Sequence, residues 1–326
     1  YNYHYIYIYI MIKIGINGFG RMGRLAAREI IKNKNYQLAA INHPSINQKD
    51  FNKMIKYDSV HGQFHNKIDN ELIIHNERDP SKIEWCDSID VILETTGLFK
   101  NKEDFENYNR PKKALTIVSA PSKTLPMFIY GVNHKKYNNE PIISAASCTT
   151  TCLAPVVDIL DTKFHIKSGL ATTIHSVTAS QMAVDKYKPN TRTGRSLLNN
   201  IIPSSTGAAS AIGKVLPLMD GMLNAISVRV PVQNVSVVDL TVELEGFPEV
   251  EDIINEIKFQ SSQKYKGIVD LDYNELVSSD YIGSPYASII DANTIMKQGD
   301  LYKMLIWYDN EYGYVKNLIR LMNYIV

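Results

Sequence analysis

From residue 11 onward, short apolar runs alternate with stretches of helical periodicity. MIKIGI (11–16) reads as a strand, and the chain then turns at Gly18 and Gly20. From Arg21 to Lys32 the pattern is helical, with Leu25 and Ile30 on the apolar side and Arg24 and Arg28 facing out. Further strands are predicted at YQLAAIN (36–42), VILETTG (91–97), LTIVSA (115–120) and FIYGV (128–132). Such an alternation predicts a parallel sheet with helices on both faces. After Cys148 the pattern changes. HIKSGLATTIHSVTA, ISVRVPVQNVSVVDLTVELE and KMLIWYDNEY are longer alternating runs, with helices at about 205–215 and 249–258. That pattern predicts a mostly antiparallel sheet with one covered face. The first domain is therefore expected to span residues 1–147 and the second 148–313. The helical stretch YVKNLIRLMNYIV (314–326) is expected to return to the first domain.

The opening YNYHYIYIYI alternates Tyr and Ile without charge, and Met11 begins an ordinary-looking chain. Residues 1–10 are expected to lie outside the fold; the alternative is an added edge strand. They carry neither the basic region nor the small-residue cleavage site of a secretory signal.

Composition narrows the class. The 326 residues are 44% apolar and 21% charged, enough for two domains with full cores. A formal net charge of +1 does not indicate a nucleic-acid or membrane-surface partner. Three cysteines, Cys86, Cys148 and Cys152, make no disulfide framework, which points to a reducing compartment and a cytoplasmic setting. No apolar run approaches the roughly 18–20 residues that span a bilayer.

Gly18-x-Gly20-x-x-Gly23 lies between the first strand and the first helix, the context a dinucleotide fingerprint requires. The helix start then offers amide donors to a pyrophosphate. The acidic residue expected about 20 residues on, which holds the adenosine ribose, is absent. His43 stands there, so NAD is the expected cofactor while the usual reason for excluding NADP is missing.

GINGFGRMGR, ERDPSKIEW, SCTTTCLAP, NIIPSSTGAA, RVPVQNVSVVDLTVEL and WYDNEYGY follow one another in an order that resembles the phosphorylating glyceraldehyde-3-phosphate dehydrogenase family, over residues 11–326. The resemblance implies an α/β protein: a Rossmann-type dinucleotide-binding domain, then an α+β catalytic domain with a mostly antiparallel sheet. It also implies that Cys148 is the nucleophile and His175 its proton shuttle, the thiol adding to an aldehyde and a thioester being cleaved by inorganic phosphate. Thr178, Ser180 and Arg229 match residues that hold the substrate's phosphate. Ser147, Thr149, Arg192, Thr206 and Gly207 match those around the attacking phosphate. On the cofactor side stand Asn17, Gly18, Gly20, Arg21, Met22, His43, Arg78, Thr96 and Ser119, with Asn310 at the nicotinamide amide. No metal site is expected. Cys152 and Cys86 read as core. A homotetramer is implied by the resemblance alone.

The family's S-N-A-S-C-T-T-N-C appears here as SAASCTTTC, so Ala145 and Thr151 replace two asparagines that brace the nucleophile. The segment NKIDNELIIHNERDP is about ten residues shorter than the family's usual length. Two other readings therefore stay open at this point: an erythrose-4-phosphate dehydrogenase, and a weakly active or inactive relative acting as a binding protein.

Overall fold

The computed structural model describes residues 11–68, 71–189 and 191–326; the YNYHYIYIYI segment lies outside the described residues. The first half contains β1 (Ile12–Asn17), α1 (Arg21–Lys32), β2 (Tyr36–Asn42), α2 (Gln48–Lys56), β3 (Ile73–His75), β4 (Val91–Glu94), β5 (Leu115–Val118) and β6 (Ile142–Ser144). The six strands are all parallel, in the order β3-β2-β1-β4-β5-β6. β4 and β5 are buried at every position because helices and loops cover both faces, which is why they read as unbroken apolar runs. All strands point the same way, so Asn17, Asn42, Glu94, Val118 and Ser144 end along one edge. The order reverses between β1 and β4, the place where ligands bind in open sheets of this kind.

The second half contains α3 (Cys148–Phe164), β7 (Ile166–His175), β8 (Ile202–Ser205), α4 (Ala208–Val215), β9 (Leu223–Arg229), β10 (Ser236–Leu244) and α5 (Val250–Ser262). There follow β11 (Val269–Asp272), β12 (Ser288–Asp291), β13 (Met296–Gln298), β14 (Leu301–Tyr308) and α6 (Tyr312–Ile325). An eight-stranded sheet runs β11-β12-β14-β10-β7-β9-β8, with β13 paired to β14. Five of its pairings are antiparallel, while β7–β9 and β11–β12 are parallel. Alternation sets its faces. Val238, Leu240, Val242 and Leu244 point into a core shared with α3 and α5, while Asp239, Thr241 and Glu243 face the other way.

Four local expectations fail for physical reasons. FIYGV is not a strand, because Asn133 captures its backbone: Ile129 N–H donates to Asn133 Oδ1 (2.8 Å) and Asn133 Nδ2 donates to the Met127 carbonyl (2.9 Å). Gly131 then takes a left-handed turn at φ +92°, and the sixth strand forms instead at Ile142–Ser144. The long run from Ile226 breaks into β9 and β10, with Val235 at φ +69° between them. Arg28 does not face out; it is buried, donating to the carbonyls of Ile55, His61 and Gly62. Cys86 is exposed rather than core, since Trp85 beside it fills the interior position.

α6 packs against α1, and its Tyr314, Val315, Leu318, Ile319, Leu321 and Met322 complete the core around β1. An ion-pair cluster locks the contact. Arg21 bonds both oxygens of Glu311 and Asp58, and His61 lies 3.0 Å from Glu311. Burial alone raises the Asp58 pKa, but the His61 and Val60 amides and the Arg21 guanidinium outweigh it and hold it at about 2. Glu311, whose burial is likewise outweighed by Arg21 and His61, is also depressed. Both carboxylates thus stabilise the fold above their unfolded pKa values, and each contribution is lost as the pH falls through its depressed folded pKa, about 2 for Asp58. Thermal melts recorded from neutral to acid pH are expected to show Asp58→Asn less stable than the parent at neutral pH and nearly equal to it below about pH 2.

Candidate active site

The edge formed by the strand ends carries a cavity of about 340 Å³ lined by Asn17, Gly18, Gly20, His43, Arg78 and Thr96, among others. Its turn is built by glycine. Gly18 sits at φ +95°, and a Cβ there would come within 2.7 Å of the Thr96 amide nitrogen. A Cβ at Gly20 would meet nothing within 4 Å, so the space above the turn is open. α1 begins there with no side-chain cap on its first amides and no acidic residue in its first turn, unlike α2, which Asn47 caps. Uncapped amides at a helix start suit a pyrophosphate. Arg21 turns its guanidinium to Glu311 and Asp58, so only its backbone faces that role. Met22 is half-buried against the core of the first half.

A polar network holds these strand ends together, and its members Asn42, Glu77, Glu94 and Tyr108 were not singled out from the sequence. Asn42 Nδ2 donates to Asn17 Oδ1 (2.7 Å) and to the Glu77 carbonyl (2.9 Å), while Glu77 N–H donates to Asn42 Oδ1 (2.9 Å). Asn17 Nδ2 donates in turn to Glu94 (2.7 Å) and to the Tyr108 hydroxyl (2.8 Å). Glu94 also accepts from the Thr96 amide (2.8 Å), and its carbonyl takes the Ser119 amide (2.9 Å). Burial pushes the Glu94 carboxyl up while these donors oppose it. The only sequence signal was position: Asn17, Asn42 and Glu94 each end a buried strand.

Cys148 is the first residue of α3, at the same sheet edge, four residues after β6. Its Sγ lies 3.4 Å from His175 Nε2. His175 Nδ1 lies 2.8 Å from the Ser176 carbonyl oxygen. A carbonyl only accepts, so Nδ1 carries the proton and Nε2 presents a lone pair to the sulfur. Burial disfavours charge on both partners. It pushes the Cys148 thiol up, against Arg229 and the Thr149 donors, and with Arg229 it pulls His175 down to about 4. Both shifts act against charge on the pair, and the Nε2 lone pair stands where it can take the thiol proton.

The loop before the thiol is held without the two asparagines. Ala145 N–H donates to Val118 O (2.9 Å), Ala146 N–H to Ser144 Oγ (3.1 Å), and the Tyr314 hydroxyl to Ala146 O (3.2 Å). Ala146 sits at φ +59°, a conformation costing a non-glycine residue about 1–2 kcal/mol. Thr151, 2% exposed, donates its amide to Ser147 O (2.8 Å) within the helix.

Around this pair, Arg229 on β9 is the register partner of His175 on β7. Its Nη1 donates to Ser176 O (3.3 Å), and its buried Nε has no protein partner, so a donor is left for an anion. Thr178 Oγ1 lies 3.0 Å from Ser180 Oγ and donates to Gln181 (2.8 Å) in the loop that follows. Ser147 caps α3 through Thr150 N–H (3.1 Å). Thr149 is turned inward to the Tyr308 hydroxyl (2.9 Å), which also lies 2.8 Å from Thr173 Oγ1. Tyr308 was not singled out from the sequence, although its inward register on β14 is legible in the alternation. Asn310 Oδ1 accepts from Ser176 (2.8 Å) and Ser236 (2.8 Å), which fixes the plane of its amide. Thr206 accepts from Ala208 N–H (3.2 Å) at the start of α4, beside Gly207. Arg192 lies in the turn Thr191–Gly194 of the exposed loop.

Residues 12–102 match the family described as glyceraldehyde 3-phosphate dehydrogenase, NAD binding domain, and residues 147–310 match its C-terminal domain. The chain belongs to the glyceraldehyde-3-phosphate dehydrogenase family. It is 43% identical to glyceraldehyde-3-phosphate dehydrogenase 1 of Schizosaccharomyces pombe, covering 96% of this chain and 97% of that protein. It is 44% identical to the cytosolic glyceraldehyde-3-phosphate dehydrogenase of Pisum sativum, again covering 96% and 97%. The uncapped helix start and the open turn at Gly20 fit the NAD that the family binds.

If His175 draws the thiol proton, Cys148 is alkylated by iodoacetamide at neutral pH, and His175→Asn slows that reaction by roughly 10²-fold. Mass-spectrometric timing of the modified peptide checks this, with Cys152 expected to stay unmodified.

Proposed function

We propose that this chain oxidises glyceraldehyde 3-phosphate to 1,3-bisphosphoglycerate with NAD and inorganic phosphate, as a step of glucose metabolism. The observation that carries the reading is the Cys148–His175 pair, 3.4 Å apart, with the imidazole tautomer set by a carbonyl. In the proposed division, residues 1–147 form the dinucleotide domain, 148–313 the catalytic domain, and 314–326 a helix that returns to the first.

The thiol adds to the aldehyde carbon, its proton passing to His175 Nε2 and from there to the former carbonyl oxygen. That thiohemiacetal hydroxyl then gives its proton back to His175 as the carbon–hydrogen bond breaks. NAD, when bound, supplies the acceptor for that hydride. A thioester on Cys148 remains, and a phosphate oxygen attacks its carbon while the carbon–sulfur bond breaks. The departing sulfur takes the proton from His175, which restores the resting pair.

Amides at the start of α3 favour the developing negative charge on sulfur and oxygen. Arg229, with its unpartnered Nε, and Thr178 and Ser180 hold the substrate's phosphate. Ser147, Thr149, Arg192, Thr206 and Gly207 form the site of the attacking phosphate. Gly18, Gly20 and the Arg21 amide hold the pyrophosphate; Asn17, Met22, His43, Arg78, Thr96 and Ser119 line the rest of the cofactor cleft; and Asn310 orients the nicotinamide amide.

The proposed assembly is a homotetramer. Its support is apolar exposure: Leu170 and Ile226 on the uncovered sheet face, and Tyr187 and Ile201 on the loop after β7, stand 56–85% exposed. The proposed location is the cytoplasm, in keeping with relatives named cytosolic.

Initial rates of NADH formation test the reading. Turnover is expected to depend on phosphate and to vanish in Cys148→Ala. Arg229→Ala is expected to lower kcat/KM by about 10²-fold, since a charge-assisted bond to a phosphate is worth roughly 2–3 kcal/mol. Absence of turnover from folded protein would sink it.

A further inference from the structure

The end of β2 is where a dinucleotide site chooses between a bare ribose and a phosphorylated one. A carboxylate there accepts from the ribose hydroxyls and repels a 2′-phosphate. His43 does neither. Its backbone is spent, the N–H on His75 O (3.0 Å) and the carbonyl on Asn76 Nδ2 (2.9 Å). Its Nδ1 accepts from the Ser45 amide (3.2 Å), so the ring's proton sits on Nε2 and the side chain offers a single donor.

The surroundings lean the same way. Ser45 and Arg78 line the same cavity and both are exposed. Among the described residues Glu77 is the one acidic residue lining it, and its backbone is pinned to Asn42 from both sides.

We propose that this cavity accepts the 2′-phosphorylated dinucleotide alongside the unphosphorylated one, with Arg78 pairing the phosphate and His43 Nε2–H and the Ser45 hydroxyl donating to it. The inference rests on the dehydrogenase reading above. The added phosphate is a spectator, so the hydride chemistry is the same with either nucleotide.

Isothermal titration calorimetry of the purified protein with NAD and with NADP, in the absence of substrate, tests it. The two dissociation constants are expected to lie within about tenfold of each other, because the repelling charge is missing. His43→Asp is expected to weaken NADP by about 30-fold or more without weakening NAD, and Arg78→Ala to weaken NADP by about tenfold more than NAD. NAD binding more than about 100-fold tighter than NADP in the parent protein would overturn the proposal and leave the dehydrogenase reading standing. An unchanged ratio in both variants would also overturn it. Binding of neither nucleotide would overturn both readings together.

Discussion

The carbonyl oxygen of Ser176 decides what His175 can be. At 2.8 Å from Nδ1 it admits only a proton-bearing nitrogen, and the opposite nitrogen must then face Cys148 with its lone pair exposed. Much of the catalytic half serves that one orientation. Ser176 is itself held, its amide on Ser236 Oγ (3.0 Å) and its hydroxyl on Asn310. Arg229 leans on the same carbonyl from the neighbouring strand. The residue after the histidine thus ties His175, Arg229 and Asn310 into one hydrogen-bonded unit. Burial works against charge on the pair, pushing the thiol up and the imidazole down.

A second constraint lies in the parallel sheet. Because its six strands point the same way, their ends line up along one edge, and at β1, β2 and β4 the chain places polar side chains there. Asn17, Asn42 and Glu94 bridge β1, β2 and β4 across the point where the strand order reverses. Their mutual hydrogen bonds make the floor of the cavity stiff, while the residues one step further out, His43 and Thr96, face the space where a ligand would lie.

What was legible in the sequence is what is decided locally. The Gly18-x-Gly20-x-x-Gly23 turn, the buried runs of β4 and β5 and the alternation of β10 depend on spacing alone, and they were read correctly. FIYGV was misread because its backbone partners come from Asn133, a side chain that propensity does not see. Arg28 was misplaced for a similar reason: three carbonyls from another part of the chain satisfy it in the interior. The Cys148–His175 contact joins residues 27 apart, and no periodicity announces it; only the resemblance did. The loss of two asparagines beside Cys148 looked damaging on paper. The structure shows the loop tethered instead by backbone pairing, by Ser144 and by a tyrosine from the far end of the chain.

That tyrosine has a consequence for the order of events on the ribosome. Tyr314 and the apolar face of α6 are made long after α1 and Cys148, yet they cover the one and hold the carbonyl two residues before the other. While the chain is still being synthesised, the first sheet can pair its strands, but its α1 flank stays bare and the cysteine loop lacks its outer tether. The Cys148 loop is therefore braced only once Tyr314 has been made, and a chain stopped before that residue would carry the cysteine without this tether.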